Sequence, residues 1–234
     1  MLKIENMSCG YGRIEVIRNI SVEVGDESVG LFGPNGAGKT TLINALMGIV
    51  KPTTGTITFN GQNITGIETH EAARMGIALV PQERELFPRM SVLDNLELGC
   101  LYIPGKAEGM AVRLDSVFEK FPILKERRSQ LAGTMSGGQQ RQLAIGRALM
   151  ADPKLLILDE PSLGLQPSIV SDLYGRLAEM KQDISILVTE QNVRESLRAV
   201  DRGYVMENGG MAISGSAEEL KTNPHVVKVY LGLS

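Results

Sequence analysis

The eight residues Gly33-Pro34-Asn35-Gly36-Ala37-Gly38-Lys39-Thr40 constrain this chain more than any other stretch. They satisfy the pattern G-x-x-x-x-G-K-[ST] at every required position, and each required residue has a chemical reason. Glycines let the backbone curl until successive N–H groups converge on phosphate oxygens. Lys39 adds a point charge for the β- and γ-phosphates, and the Thr40 hydroxyl is placed to ligate Mg²⁺. Residues 27–32 read as a buried strand and 39–47 as a helix, so the helix N-terminus aims its positive end at the anion. A chance match in a glycine-rich loop is the competing explanation. The strand before the loop and the helix after it weigh against that.

The rest of the chain has an organisation that suits such a loop. Short apolar or alternating segments at 2–7, 17–24, 28–32 and 56–60 read as strands, and 77–80 is another, stopped by Pro81. From 91 to about 151 the spacing turns helical, with Val92, Leu93, Leu96 and Leu98 crowded together and an amphipathic run at 112–121 ended by Pro122. After Pro153 the alternation returns. The spacing predicts a strand at 155–158, a helix at 168–180, a strand at 184–188 and a helix at 192–200. A hairpin of 204–206 and 211–213 about Gly209-Gly210 and a helical tail from Ala217 complete the chain. The expectation is one α/β domain over 1–234. Its core and β-rich N-terminal subdomain occupy about 1–90 and 152–234, and a helical subdomain is inserted at 91–151.

Composition excludes several classes. The net charge of −3 offers no basic face for nucleic acid. No apolar run approaches the roughly 18 residues of a membrane span. The opening Met1-Leu2-Lys3-Ile4-Glu5 lacks a signal-peptide core. Cys9 and Cys100 have no metal-ligand spacing and suit a reducing compartment. His70 and His225 stand alone and receive no role.

Two further constellations carry chemistry. Residues 154–160 run through four apolar positions into Asp159 and Glu160, so a buried strand delivers two acids to the carboxyl edge of a sheet. Asp159 suits Mg²⁺-bound water, and Glu160 suits a general base that polarises water for attack on the γ-phosphate. Alone, the pair reads equally well as surface acids capping a strand. After a phosphate loop, the catalytic reading leads. Met135-Ser136-Gly137-Gly138-Gln139-Gln140-Arg141-Gln142 then precedes a helix running to about Met150. Ser136 is a helix-cap candidate, and the two glycines would let a second anion approach the helix start.

With these residues in view, the chain resembles the ABC ATPases, whose signature is L-S-G-G-Q; Met135 stands where the leucine would be. The resemblance implies a P-loop NTPase core, ATP and Mg²⁺ as cofactors, and two cassettes facing each other. Ser136, Gly137, Gly138 and Gln139 of one would close on the γ-phosphate held by the other's Gly33, Pro34, Asn35, Gly36, Ala37, Gly38, Lys39, Thr40 and Thr41. It also implies that Tyr11 stacks on adenine, although a turn tyrosine between Gly10 and Gly12 fits the sequence too. Gln82 would touch Mg²⁺ and the attacking water, or would be an ordinary loop amide. Residues 84–98 resemble the surface that meets a membrane partner, with Phe87 and Met90 either exposed anchors or subdomain core.

Two positions depart from the family pattern. Gln191 stands where a histidine usually contacts the γ-phosphate; an amide can donate a hydrogen bond there but carries no charge. Gln166 replaces a common aspartate after Glu160. These departures, with LDEPSLGL at 158–165, VTEQN at 188–192, DRGYVMENG at 201–209 and YLG at 230–232, are similar to the second ATP-binding subunit of branched-chain amino acid importers. VPQERELFP at 80–88 also resembles the urea and short-chain amide importers.

The resemblance implies a peripheral subunit on the cytoplasmic face of the membrane. Its partners would be a second ATP-binding subunit, integral permease subunits and, indirectly, an extracytoplasmic substrate-binding protein, with no nucleic acid. A soluble ABC ATPase and a P-loop kinase acting on a small molecule are the competing classes.

Overall fold

The computed structural model describes residues 1–101 and 109–231. The chain opens with β1 (Leu2–Tyr11), β2 (Ile14–Val24) and β3 (Ser28–Phe32), then α1 (Lys39–Leu46), β4 (Thr54–Phe59), β5 (Gln62–Asn63), α2 (Thr69–Arg74) and β6 (Ile77–Val80). A helical stretch follows: α3 (Val92–Leu101), α4 (Met110–Lys120), α5 (Pro122–Glu126) and α6 (Gly137–Leu149). The chain then returns to alternation with β7 (Leu155–Asp159), α7 (Pro167–Met180), β8 (Ser185–Glu190), α8 (Val193–Ser196), β9 (Arg202–Glu207) and β10 (Gly210–Ser216). It closes with α9 (Ala217–Thr222) and α10 (Pro224–Val226).

The strands form two sheets. β2-β1-β4-β5 is antiparallel, and β10-β9-β3-β8-β7-β6 is parallel except for the β9–β10 hairpin. Every residue of β3, β7 and β8 is buried, as a parallel sheet covered on both faces requires. Successive side chains leave opposite faces. Leu156, Leu158, Ile186 and Val188 therefore join the core shared with α3, α6 and α7. Leu155, Ile157 and Leu187 join the other core, with α1 and the antiparallel sheet. The central order β3-β8-β7 brings three strand ends side by side, with Asp159 paired in register to Thr189 and Phe32 to Glu190.

Several expected boundaries move. β1 runs on to Tyr11 rather than ending at Met7, through register shifts after Ile4, Met7 and Cys9 that break its alternation, with Asn6 at φ 48°. The strand expected at 56–60 is β4, shifted to Thr54–Phe59; β5 and α2 are too short for periodicity to reveal. Pro122 does not simply end the amphipathic run, because it opens α5 from the first helical position. β8 runs two residues beyond the expected 184–188, which places Thr189 and Glu190 in the sheet. The helix expected at 192–200 is only the one-turn α8. The hairpin turns on Asn208-Gly209, both at positive φ, and not on Gly209-Gly210. Residues 102–108 of the expected helical subdomain, and Gly232 of the YLG tail, lie outside the described residues.

Candidate active site

The loop between β3 and α1 forms a cradle because its glycines reach conformations and approaches that other residues resist. Gly38, at φ 107°, caps α1 from the left-handed region. At Gly33 a Cβ would lie 2.2 Å from the Met206 carbonyl oxygen of β9. The β9–β10 turn closes the back of the loop: Gly209 N–H donates to the Ala37 carbonyl at 3.1 Å, and the Gly209 carbonyl accepts from Arg18 N–H at 2.8 Å. The Glu190 carbonyl accepts from Gly33 N–H at 3.2 Å, tying the loop to the end of β8.

Lys39 opens α1 and its ammonium is buried in this cradle. It donates to the Gly33 carbonyl at 2.8 Å and the Pro34 carbonyl at 3.2 Å, and lies 3.0 Å from Glu160 Oε1. The Thr40 hydroxyl donates to Asp159 Oδ2 at 3.0 Å, and the Thr189 hydroxyl donates to Asp159 Oδ1 at 2.6 Å. The same Thr189 oxygen accepts from Glu160 N–H at 3.0 Å. Burial pushes the Asp159 carboxyl above the usual carboxylate range, against the two hydroxyl bonds that favour its charge. Glu160 sits at φ 44°, left-handed for a non-glycine residue, at the turn where the chain leaves β7. A basic charge, two acids and two hydroxyls thus converge where three parallel strands end, the edge at which such sheets bind ligands.

The other expected residues lie around this centre. Thr41 is buried one residue beyond Thr40. Tyr11 ends β1, half-exposed, with its hydroxyl accepting from Asn44 of α1 at 3.0 Å. Ser136 caps α6: its hydroxyl accepts from Gln139 N–H, and Gln139 Oε1 accepts from Ser136 N–H at 3.0 Å. Among the described residues no hydrogen bond or ion pair joins 136–139 to the 33–41 loop. Gln82 is exposed, and among the described residues its side chain makes no hydrogen bond to Thr40 or Asp159. It lines a cleft of about 420 Å³ with Arg84, Gln140, Arg141, Leu163 and Gly164. Gln191 is exposed immediately after β8, and Gln166 caps α7 by backbone alone.

Four residues near the site carry no sequence motif of their own. Thr189 bridges the two acids. Glu190 and Tyr174 are buried side by side, the Tyr174 hydroxyl donating to Glu190 Oε1 at 2.6 Å. Burial pushes the Glu190 carboxyl up and the Tyr174 hydroxyl well up. Among the described residues Arg141 of α6 is one of the bulkiest fully buried side chains, and it donates to the Pro81 carbonyl at 3.0 Å and the Gln82 carbonyl at 2.9 Å. The Thr189-Glu190 pair within VTEQN and the arginine within SGGQQRQ were the available signals, and both lie in stretches whose neighbouring residues carry the motif.

A family model described as ABC transporter matches residues 17–163. The chain is 42% identical to the high-affinity branched-chain amino acid transport ATP-binding protein BraG of Pseudomonas aeruginosa, over 99% of this chain and 100% of that one. It is 38% identical to the lipopolysaccharide export system ATP-binding protein LptB of Escherichia coli, over 99% and 97%. The ADP conformation of MJ1267, an ATP-binding cassette of an ABC transporter, superposes with a TM-score of 0.87 at 30% identity, covering 99% of this chain and 98% of that chain.

Proposed function

This chain belongs to the ABC transporter family, and from that premise we propose that it is the ATP-hydrolysing subunit of an importer for branched-chain or other hydrophobic amino acids. The observation that carries the hydrolytic part is the convergence of Lys39, Thr40, Asp159, Glu160 and Thr189 at the ends of β3, β7 and β8. The loop amides and the Lys39 ammonium bind the β- and γ-phosphates. Glu160, aimed by its backbone turn and by the Thr189 hydroxyl, takes the proton of the attacking water.

Thr40 and Asp159 offer hydroxyl and carboxylate oxygens 3.0 Å apart, the hard donors that Mg²⁺ combines with substrate phosphates and water. Held by these oxygens, Mg²⁺ would supply positive charge against the phosphates. In this reading Gln82 and Gln191 approach the γ-phosphate side, and Tyr11 approaches adenine. Ser136, Gly137, Gly138 and Gln139 complete the centre of a second ATP-binding subunit. The pair of subunits sits at the cytoplasmic face of the membrane against permease subunits, served by an extracytoplasmic binding protein. No helix among the described residues is long and apolar enough to cross a membrane.

Glu160→Gln tests the base. The amide still accepts a hydrogen bond from Lys39, so ATP binding is retained while turnover falls at least about 100-fold. Parental turnover in that variant removes Glu160 from the role. The import reading is supported by the end-to-end match to BraG, and the match to LptB supports lipopolysaccharide export as the second reading. Transport reconstituted with leucine, isoleucine, valine and urea separates amino acid import from amide import; transport of none of them leaves export standing.

A further inference from the structure

We propose that Glu190 is a positioning residue for ATP hydrolysis, whose buried side-chain oxygen anchors the loop that follows Glu160. This rests on the reading of Glu160 as general base. Glu190 is the last residue of β8 and is only 2% exposed. Its two ends reach different parts of the site. The backbone carbonyl accepts from Gly33 N–H, at the first residue of the phosphate loop. Side-chain Oε1 accepts from Ser162 N–H at 3.0 Å and from the Tyr174 hydroxyl at 2.6 Å. One residue therefore links the phosphate cradle, the segment two residues beyond the base, and helix α7.

A packing role alone does not explain an acid here. An ionised carboxylate is costly to bury unless its lone pairs are filled, and an apolar side chain of similar volume would pack this site as well. The surroundings are arranged around the acceptor. Tyr174, itself 1% exposed, spends its only hydroxyl proton on it. Ser162 N–H is the donor at the start of a tight turn closed by Leu165 N–H to the Ser162 carbonyl, 3.1 Å, with Leu163 N–H returning to the Glu160 carbonyl at 3.2 Å. Moving Ser162 thus pulls on the Glu160 peptide, already held at positive φ. Residues that touch nothing reactive can still govern rate in this way, because small displacements of a base lower the fraction of productive geometries.

The anchor needs an acceptor, not a charge. In Glu190→Gln the amide oxygen still takes both hydrogen bonds. Glu190→Met keeps volume and apolar packing but offers no comparable acceptor, and Glu190→Ala removes the side chain. Steady-state ATPase kinetics, nucleotide affinity and thermal melting are measured on the full chain for all three, beside Glu160→Gln.

The expected result is a kcat at least tenfold lower for Glu190→Met and Glu190→Ala, with ATP affinity within about threefold of parental, and a kcat for Glu190→Gln near parental. A folded Glu190→Met with parental kcat overturns the proposal. So does equal impairment of Glu190→Gln and Glu190→Met, or a loss confined to ATP affinity. If Glu190→Ala does not fold, the comparison of Gln with Met decides. The Glu160→Gln control keeps the two ideas apart: full turnover there defeats the base assignment, whereas an inactive Glu160→Gln beside a fully active Glu190→Met defeats the anchor alone.

Discussion

The ammonium of Lys39 and the carboxylate of Glu160 lie 3.0 Å apart, both buried, just beyond the ends of strands that are not neighbours in the sheet. β8 stands between the β3 end that leads to Lys39 and the β7 end that leads to Glu160. In the proposed reading, the one lysine charge therefore faces both the phosphates and the carboxylate of the base.

Removing that charge has two effects. Lys39→Ala lowers ATP affinity at least tenfold, because the phosphates lose their point charge. It also leaves the buried Glu160 carboxylate without its cation, which costs about 3–5 kcal/mol of folding stability. Adding Glu160→Gln to Lys39→Ala restores part of the stability and none of the affinity. Isothermal titration and urea denaturation read the two quantities separately, and unchanged ATP affinity in Lys39→Ala counts against the phosphate-loop assignment.

Arg141 makes a different prediction. Its guanidinium spans from α6 to two consecutive carbonyls, Pro81 and Gln82, at the exit of β6. Burial, with Arg84 nearby, holds its pKa below the usual arginine value, so it is a costly charge kept for its geometry. Arg141→Met leaves both acceptors bare and destabilises the fold by about 2–4 kcal/mol. Arg141→Lys, with one compact donor group in place of a fork, falls between. Amide exchange at residues 82–86 rises in both. A Met variant as stable as the parent, with protected amides there, would show that the two carbonyls have other partners.

The end of the described chain is tied by a group that titrates. Glu207 accepts from the Tyr230 hydroxyl at 2.8 Å, and its Oε1 lies 2.7 Å from His225 Nε2. Those two partners hold the Glu207 carboxyl below its usual range. A folded pKa below the unfolded one means that the tie stabilises fully above the ordinary carboxylate range, near pH 4.5 and higher, and is lost as pH falls through the depressed value. Protection of the amides at 226–231, corrected for intrinsic exchange, therefore declines as pH falls below the ordinary carboxylate range. Glu207→Gln shows the lowered protection already at neutral pH. Identical protection in parent and variant at neutral pH rules the tie out.

What could be read from the sequence was what adjacent residues carry. The phosphate loop, the Asp159-Glu160 pair and the Ser136 cap are each complete within a few positions, and each has the local geometry expected of it. The alternation of strands and helices was legible for the same reason, since burial on both faces gives β3, β7 and β8 largely apolar stretches. What pairing across the sheet creates was not legible. Thr189 matters because register sets it opposite Asp159, and Glu190 because β8 continues two residues past its apolar run. A threonine and a glutamate after Val188 look like the start of a loop until β7 is placed alongside. Arg141 was hidden differently: an arginine in a polar helix start suggests solvent, and only the packing of α6 under the β6 exit buries it. β1 misled by irregularity, because a left-handed Asn6 and three register shifts erase the alternation that marks a strand.

The Asn208-Gly209 turn lies some 170 residues along the chain from the loop it supports, yet Gly209 N–H holds the Ala37 carbonyl and the Met206 carbonyl walls off Gly33. Glu207, which fastens the tail, is the very next residue. Engineering at this corner, whether a grafted turn, a fusion or a tail deletion, is consequently work on the floor of the proposed nucleotide pocket, and its success is judged by nucleotide affinity as much as by yield.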